Sequence, residues 1–361
     1  MRRVKAFLRA NPNQSVSRRA VYTIGGEIPQ VGTLAFGLVD RGTNVLEVRP
    51  TSVCALSCIF CSVNAGPLSR ARWAEYVVEV EALLSALEEV VRFKKADDVE
   101  VHIDGMGDPG TYPQLVELVE GAKAIKGVAV VSMQTRLYML DEEKIRRLAS
   151  AGLDRFNVSI DALDAGLAKK LAGAEWYDVE KTLQLVKTAL EAGINVVISP
   201  VWVPGYNDEE MPKIVKWAVE NGVGRGTHTP VLIQKYIPHK RGRRVDVRPM
   251  SWGEFWSRLR EMEKRLGVPL IPKPGEYNIH KAPELPKPYK VGEVVELEIV
   301  ARGIFKGEML GVPKTRRNTA VWDRTITTVH GPQASDSLIG RRVRVKILEN
   351  THNIYLAQPL R

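Results

Sequence analysis

Cys54-Ala-Leu-Ser-Cys58-Ile-Phe-Cys61 holds every cysteine of a 361-residue chain. The C-x3-C-x2-C spacing lets three thiolates face one point from a single curved loop. Three sulfurs suit a four-iron cluster held by protein at three irons and open at the fourth, and cysteine thiolates are the usual ligands of such clusters. Three plainer readings compete. A zinc site wants a fourth ligand in closed tetrahedral geometry, and the next histidine is His102, far along the chain. A disulfide leaves an odd thiol, and no secretory signal accompanies it. Free cysteines do favour cores, but packing cysteines rarely cluster in this way.

On either side of the cysteine stretch, apolar and largely β-branched runs alternate with helical periodicity. Strands are expected at residues 45–48, 99–103, 128–133, 155–160, 195–203 and 231–236, and helices at 74–93, 114–123, 141–151, 179–192 and 209–220. About six βα units with apolar strands are the pattern of a parallel sheet buried on both faces. A doubly wound sheet satisfies the same periodicity. Ser251 then starts one more helix, over 250–266. Pro269, Pro272, Pro274, Pro283, Pro286 and Pro288 crowd the segment after that helix, which reads as a semi-rigid connector. Beyond it, five short runs with glycine turns suggest a small closed β-barrel. The expected organisation is a basic extension over 1–43, a core over 44–267, a linker over 268–287 and a small barrel over 288–361.

The net charge of +10 is unevenly placed. Arg2, Arg3, Lys5, Arg9, Arg18 and Arg19 precede the first acid, Glu27, and a second concentration runs from Lys235 to Arg248. Beyond Lys287 basic residues again outnumber acidic ones. Such patches attract polyanions by neutralising phosphates and releasing counterions, although solvating surface cations give the same count. No apolar run approaches the ~20 residues that span a bilayer. The N-terminus lacks an apolar signal core, so a cytoplasmic protein is expected.

The cysteine spacing, with Phe60 just ahead of the last cysteine, resembles the signature of the radical S-adenosylmethionine (SAM) superfamily. That resemblance implies an α/β fold, an open partial (β/α)6 barrel of TIM type with its chemistry at the C-terminal strand ends. It implies a [4Fe-4S] cluster on Cys54, Cys58 and Cys61, whose open iron chelates SAM, and a ferredoxin or flavodoxin as electron donor. Gly105-Met106-Gly107-Asp108-Pro109 stands where the superfamily carries a glycine-rich motif for the SAM amino group, with Asp108 in place of the more frequent glutamate. Two glycines permit close backbone approach to a ligand, and Pro109 stiffens the exit. Gln134, Ser159 and Asp161 end the third and fourth strands, where relatives contact the ribose and carboxylate of SAM; backbone capping is the alternative role. Arg136-Leu137 replaces an Asn-Gly found in many relatives. Phe60 would shield the cluster. Tyr138, Tyr206 or Tyr236 could quench a radical, and His102, between Val101 and Ile103, reads as a satisfied core histidine.

Val294-Val-Glu-Leu-Glu-Ile-Val300 and the basic run 338–347 resemble the TRAM domain, an OB-like barrel often attached to RNA-modifying enzymes. The whole chain resembles an archaeal branch of these iron–sulfur oxidoreductases. With no cysteine outside the loop, subclasses needing a methyl-carrying cysteine or auxiliary clusters, sulfur-inserting ones included, do not fit. No cobalamin domain is expected ahead of residue 44. Direct hydrogen abstraction, rearrangement, carbon–carbon coupling or an unfamiliar methylation remain. The expected substrate is RNA, tRNA foremost, gripped by Lys235, Lys240, Arg241, Arg243 and Arg244 near the mouth and by Arg316, Arg317, Arg341 and Arg342 of the small barrel. Removing 287–361 is then expected to weaken RNA binding and spare SAM cleavage. A small metabolite, cofactor precursor or lipid is the alternative substrate, and an RNA-binding module with a structural metal is the non-enzymatic reading.

Overall fold

The computed structural model describes residues 3–4, 19–224 and 228–360; Arg2, Lys5, Arg9 and Arg18 of the basic N-terminus lie outside them. Strands β1 (Arg3–Val4), β2 (Ala20–Ile24), β3 (Gly37–Asp40), β4 (Val45–Arg49) and β5 (Ala74–Val78) come first. There follow α1 (Val80–Lys94), β6 (Val99–Ile103), α2 (Leu115–Ala124), β7 (Val128–Thr135), α3 (Glu142–Ser150) and β8 (Arg155–Val158). Next are α4 (Ala165–Ala172), α5 (Val179–Glu191), β9 (Asn195–Ile198), β10 (Val201–Trp202), α6 (Glu210–Glu220), β11 (Gln234–Lys235) and α7 (Trp252–Leu266). The chain closes with β12 (Val294–Arg302), β13 (Glu308–Pro313), β14 (Ile326–Val329), β15 (Arg342–Glu349) and β16 (Leu356–Pro359).

The core is a partial (β/α)6 barrel of TIM type. Its main sheet has the order β3-β4-β6-β7-β8-β9, parallel from β4 onward. Parallel pairing continues through the Ile198–Val231 bridge and the β10–β11 pair. Alternation along the strands fixes which side faces inward. Val99, Val101, Ile103, Val131, Met133, Phe156 and Val158 are fully buried beneath the helices. Glu100, His102, Ser132, Gln134, Arg155 and Asn157 take the other face, toward the barrel lumen.

Several expectations change. Residues 74–78, expected as the start of a helix, form β5, because Tyr76, Val77 and Val78 pair in parallel with β2. Helix α4 was not foreseen; Asp164 caps its start through Leu167 N at 2.7 Å, and Gly173 ends it at φ 60°. Residues 19–43 are no separate extension, since β3 is the antiparallel edge of the main sheet and β2 carries β5.

The proline-rich segment is not a spacer either. It crosses the N-terminal ends of the strands and stoppers the barrel. Asn44 donates to Asp98 O at 3.1 Å and Asn278 O at 2.9 Å, His280 Nε2 lies 2.7 Å from Asp98 Oδ2, and Tyr277 stacks on Arg155 at 5.1 Å. Buried Lys94 pairs with Asp40 at 2.8 Å and also reaches Pro283 O.

The C-terminal unit is a closed five-stranded barrel, β12-β13-β14-β16-β15, antiparallel except for β14–β16. It is joined to the core over a broad front. Trp73 N donates to Ile304 O at 3.2 Å and Lys306 N to Ala71 O at 2.8 Å. Ala301, Ile304, Phe305, Leu310 and Val312 belong to the same apolar cluster as the large barrel, leaving Leu297, Ile326, Val345, Ile347, Tyr355 and Ala357 as a separate interior. A cut at residue 287 would bare that shared core, so the separable module expected from sequence is corrected. Among the described residues no helix is long and apolar enough to cross a membrane.

Candidate active site

The cysteine loop leaves the C-terminal end of β4 and is shaped from outside by glycines. A Cβ on Gly66 would lie 1.6 Å from Leu56 O, on Gly107 2.2 Å from Val53 O, on Gly173 2.1 Å from Ser57 O, and on Gly242 3.0 Å from Cys61 O. Gly66 of the loop's own return and three separate segments therefore press bare backbone against it. The loop also pairs with the end of α4, Ser57 N to Ala172 O and Ile59 N to Leu171 O, both 3.0 Å.

Two arginines hold its carbonyls. Fully buried Arg72 donates to Val63 O at 2.8 Å, Ser52 O at 3.0 Å and Met106 O, and pairs with Glu75 at 3.0 Å. It so ties both ends of the loop to the glycine motif. Arg243 donates from its backbone to Cys61 O at 2.8 Å and from its guanidinium to Cys58 O at 3.1 Å and Ala65 O. Arg241 pairs with Glu308 and stacks on Phe305 at 5.0 Å. Arg241 and Arg243 were expected on RNA; both are committed within the fold.

The sulfurs sit half-buried beside donors. Tyr138 Oη is 3.6 Å from Cys54 Sγ and Ala65 N is 3.3 Å from Cys61 Sγ. Arg136 stacks on Phe60 at 5.9 Å and Tyr177 at 6.0 Å, within the field of Cys58. Burial pushes the Cys58 thiol up to about 11 against the pull of Arg136, and burial raises Cys54 too, so loading a metal must expel protons. All three cysteines are free thiols on this one loop, and in a cluster each thiolate would take its own iron.

The other expected residues divide. Gly105 and Gly107 line the loop, a Cβ on Gly105 falling 2.7 Å from Thr51 O, and Met106 is buried. Pro109 opens the short turn Pro109–Thr111. Asp108 braces the turn: Oδ1 accepts from Gly110 N and Thr135 Oγ1, both at 2.8 Å, and Oδ2 from Arg136 N at 3.0 Å. Asp161 is likewise engaged, by Arg136 and by Val201 N at 2.8 Å. Gln134 donates to Ser159 Oγ at 2.8 Å, both half-exposed at adjoining strand ends.

Tyr236 is buried, its hydroxyl accepting from Val245 N, whereas Tyr138 abuts Cys54. Lys235 lies over Trp252 at 5.0 Å, Arg316 donates to Glu27 O at 2.6 Å, and Arg317 stacks on Trp322 at 4.2 Å. Lys240, Arg244, Arg341 and Arg342 are exposed, Arg342 directly across from Glu298. Arg72, Gly66, Gly173 and Gly242 escaped the sequence reading. Only their contacts distinguish them from any other glycine or arginine.

A partial barrel with three cysteines on the loop after its first parallel strand defines an iron–sulfur enzyme of the SAM-dependent radical class. The chain belongs to the radical SAM superfamily, whose family model matches residues 48–218, and its cofactors are a [4Fe-4S] cluster and SAM. An uncharacterized protein of Methanocaldococcus jannaschii is 36% identical over 366 residues, covering 96% of this chain and 82% of that protein. A GTP 3',8-cyclase of Hydrogenovibrio crunogenus is 29% identical over 187 residues, so the likeness spans 51% of this chain and 54% of the cyclase. Among solved structures, Streptococcus suis SuiB bound to precursor peptide SuiA shares 20% identity at a TM-score of 0.45, over 62% of this chain and 45% of SuiB.

Proposed function

We propose that Cys54, Cys58 and Cys61 hold the cluster, and that the enzyme removes a hydrogen atom from a small polar molecule lodged in the barrel lumen. When bound and reduced, the cluster supplies the electron that splits SAM into methionine and a 5'-deoxyadenosyl radical. The carrying observation is the cysteine loop itself, clamped by three glycine-bearing segments and two arginines at one end of the lumen. Gly105 and Gly107 offer bare backbone for the SAM amino group, and Gln134 and Ser159 offer polar atoms beside it. Phe60 and Arg136 wall the site from water. An external one-electron donor of ferredoxin or flavodoxin type completes the requirement.

The stoppered floor and polar lumen favour a small substrate, and the arginines nearest the mouth are bound to the protein. RNA, tRNA foremost, is the second reading. It is favoured by the exposed Lys240, Arg244, Arg341 and Arg342, and by a five-stranded barrel of the OB-like, TRAM-like kind. Anaerobic reconstitution tests the first statement: iron and sulfide should load, and dithionite with SAM should release 5'-deoxyadenosine. Cys58→Ala should abolish both. Retention of full iron and cleavage by that variant would refute the assignment. A gel shift on total tRNA at two salt concentrations separates the substrates, since RNA binding must weaken steeply with salt.

A further inference from the structure

One row across the lumen carries more polar chemistry than packing requires. Glu47, His102, Ser132 and Arg155 are register partners on β4, β6, β7 and β8. His102 Nδ1 lies 2.7 Å from Ser132 Oγ, and Ser132 Oγ lies 2.6 Å from Glu100 Oε1. Arg155 pairs with that same Glu100 oxygen and reaches Asn157 Oδ1 at 3.1 Å. A carboxylate bound to a guanidinium only accepts, and a hydroxyl has one hydrogen to give. Ser132 therefore donates to Glu100, and its oxygen must accept from His102 Nδ1–H.

That chain fixes the proton on Nδ1, so that Nε2 is the ring's open position, on a side chain 19% exposed and with no partner among the described residues. Asp104 stands two residues along on the same face, about 7 Å away at strand rise. Its carboxylate makes no hydrogen bond to a described residue, and it acts on Arg41 only through its field. Glu47, across from His102, is already bound by Arg41 and by Arg49 at 2.7 Å.

We infer that His102 Nε2 and Asp104 form a substrate-binding edge that takes N–H or O–H donors of a neutral or cationic group, such as an amine or a ring amide, and rejects phosphate and carboxylate. Ser132, Glu100 and Arg155 are its positioning residues. The inference rests on the lumen being the substrate chamber, so its test reads the ring itself rather than turnover.

In cluster-loaded protein with 15N-labelled histidine, NMR at neutral pH should show His102 protonated on Nδ1 and bare on Nε2. Ser132→Ala should release that tautomer. Methylammonium, a probe carrying N–H donors and a positive charge, should shift the Nε2 resonance, and inorganic phosphate should not. Asp104→Asn should weaken the methylammonium response about tenfold, the loss of one charge-assisted contact. A proton on Nε2, a response to phosphate, or no response to methylammonium overturns the inference. Failure of SAM cleavage with the ring as described would instead refute the enzyme assignment alone.

Discussion

Gly173 and Gly193 share a left-handed backbone, at φ 60° and 86°, but only Gly173 has a neighbour, with Ser57 O 2.1 Å from a built Cβ and nothing within 4 Å at Gly193. Alanine at Gly193 meets the left-handed penalty alone, ~1–2 kcal/mol. At Gly173 it must also push the cysteine loop, adding ~1–3 kcal/mol of overpacking. Thermal melts should rank Gly173→Ala well below Gly193→Ala, and only Gly173→Ala should lose iron on reconstitution. Equal iron in both would mean that this contact does not shape the loop. At this scale the three cysteines and the glycine motif were legible, because local spacing carries them. The internal partners of Asp108 and Asp161 were not legible, since a carboxylate at a strand end looks the same whether it meets a ligand or buried amides. The apolar neighbours of His102 in sequence point to the other face of β6, so its polar surroundings could not be read from them.

Elements were legible wherever periodicity was local, as for α5 and α7. β5 was not, because the pairing that makes Ala74–Val78 a strand comes from β2, over fifty residues earlier. The floor of the barrel offers a pH test at the same scale. The hydrogen bond to Asp98 raises the His280 imidazole above its ordinary range, and His280 in turn lowers Asp98. A raised histidine contributes fully below its ordinary pKa and is lost as pH climbs through the raised value. A lowered carboxylate contributes above its ordinary pKa and is lost as pH falls through the lowered value. The clasp is thus strongest in mildly acidic solution and loosens on the alkaline side. NMR titration of His280 should give a pKa above that of free histidine, returned to normal by Asp98→Asn. A titration at or below the free value removes the clasp.

For the molecule as a whole, composition and strand count conveyed two barrels but not their union. Prolines and a change of periodicity look alike in a tether and in a packed strap. Yet Tyr76, deep in the core, donates its hydroxyl to Arg302 O, and Arg324 of the small barrel is wholly buried against Pro286 O at 2.7 Å. Both barrels should therefore unfold together. Tryptophan fluorescence and far-UV circular dichroism should give coincident denaturant transitions. Protein lacking 288–361 should fail to retain iron. Two separated transitions would show independent units.

The strap beneath the strands has a kinetic corollary. A vessel corked at its base fills and empties through its neck. Whatever is admitted at the open end must also leave by it, so entry and exit share one passage.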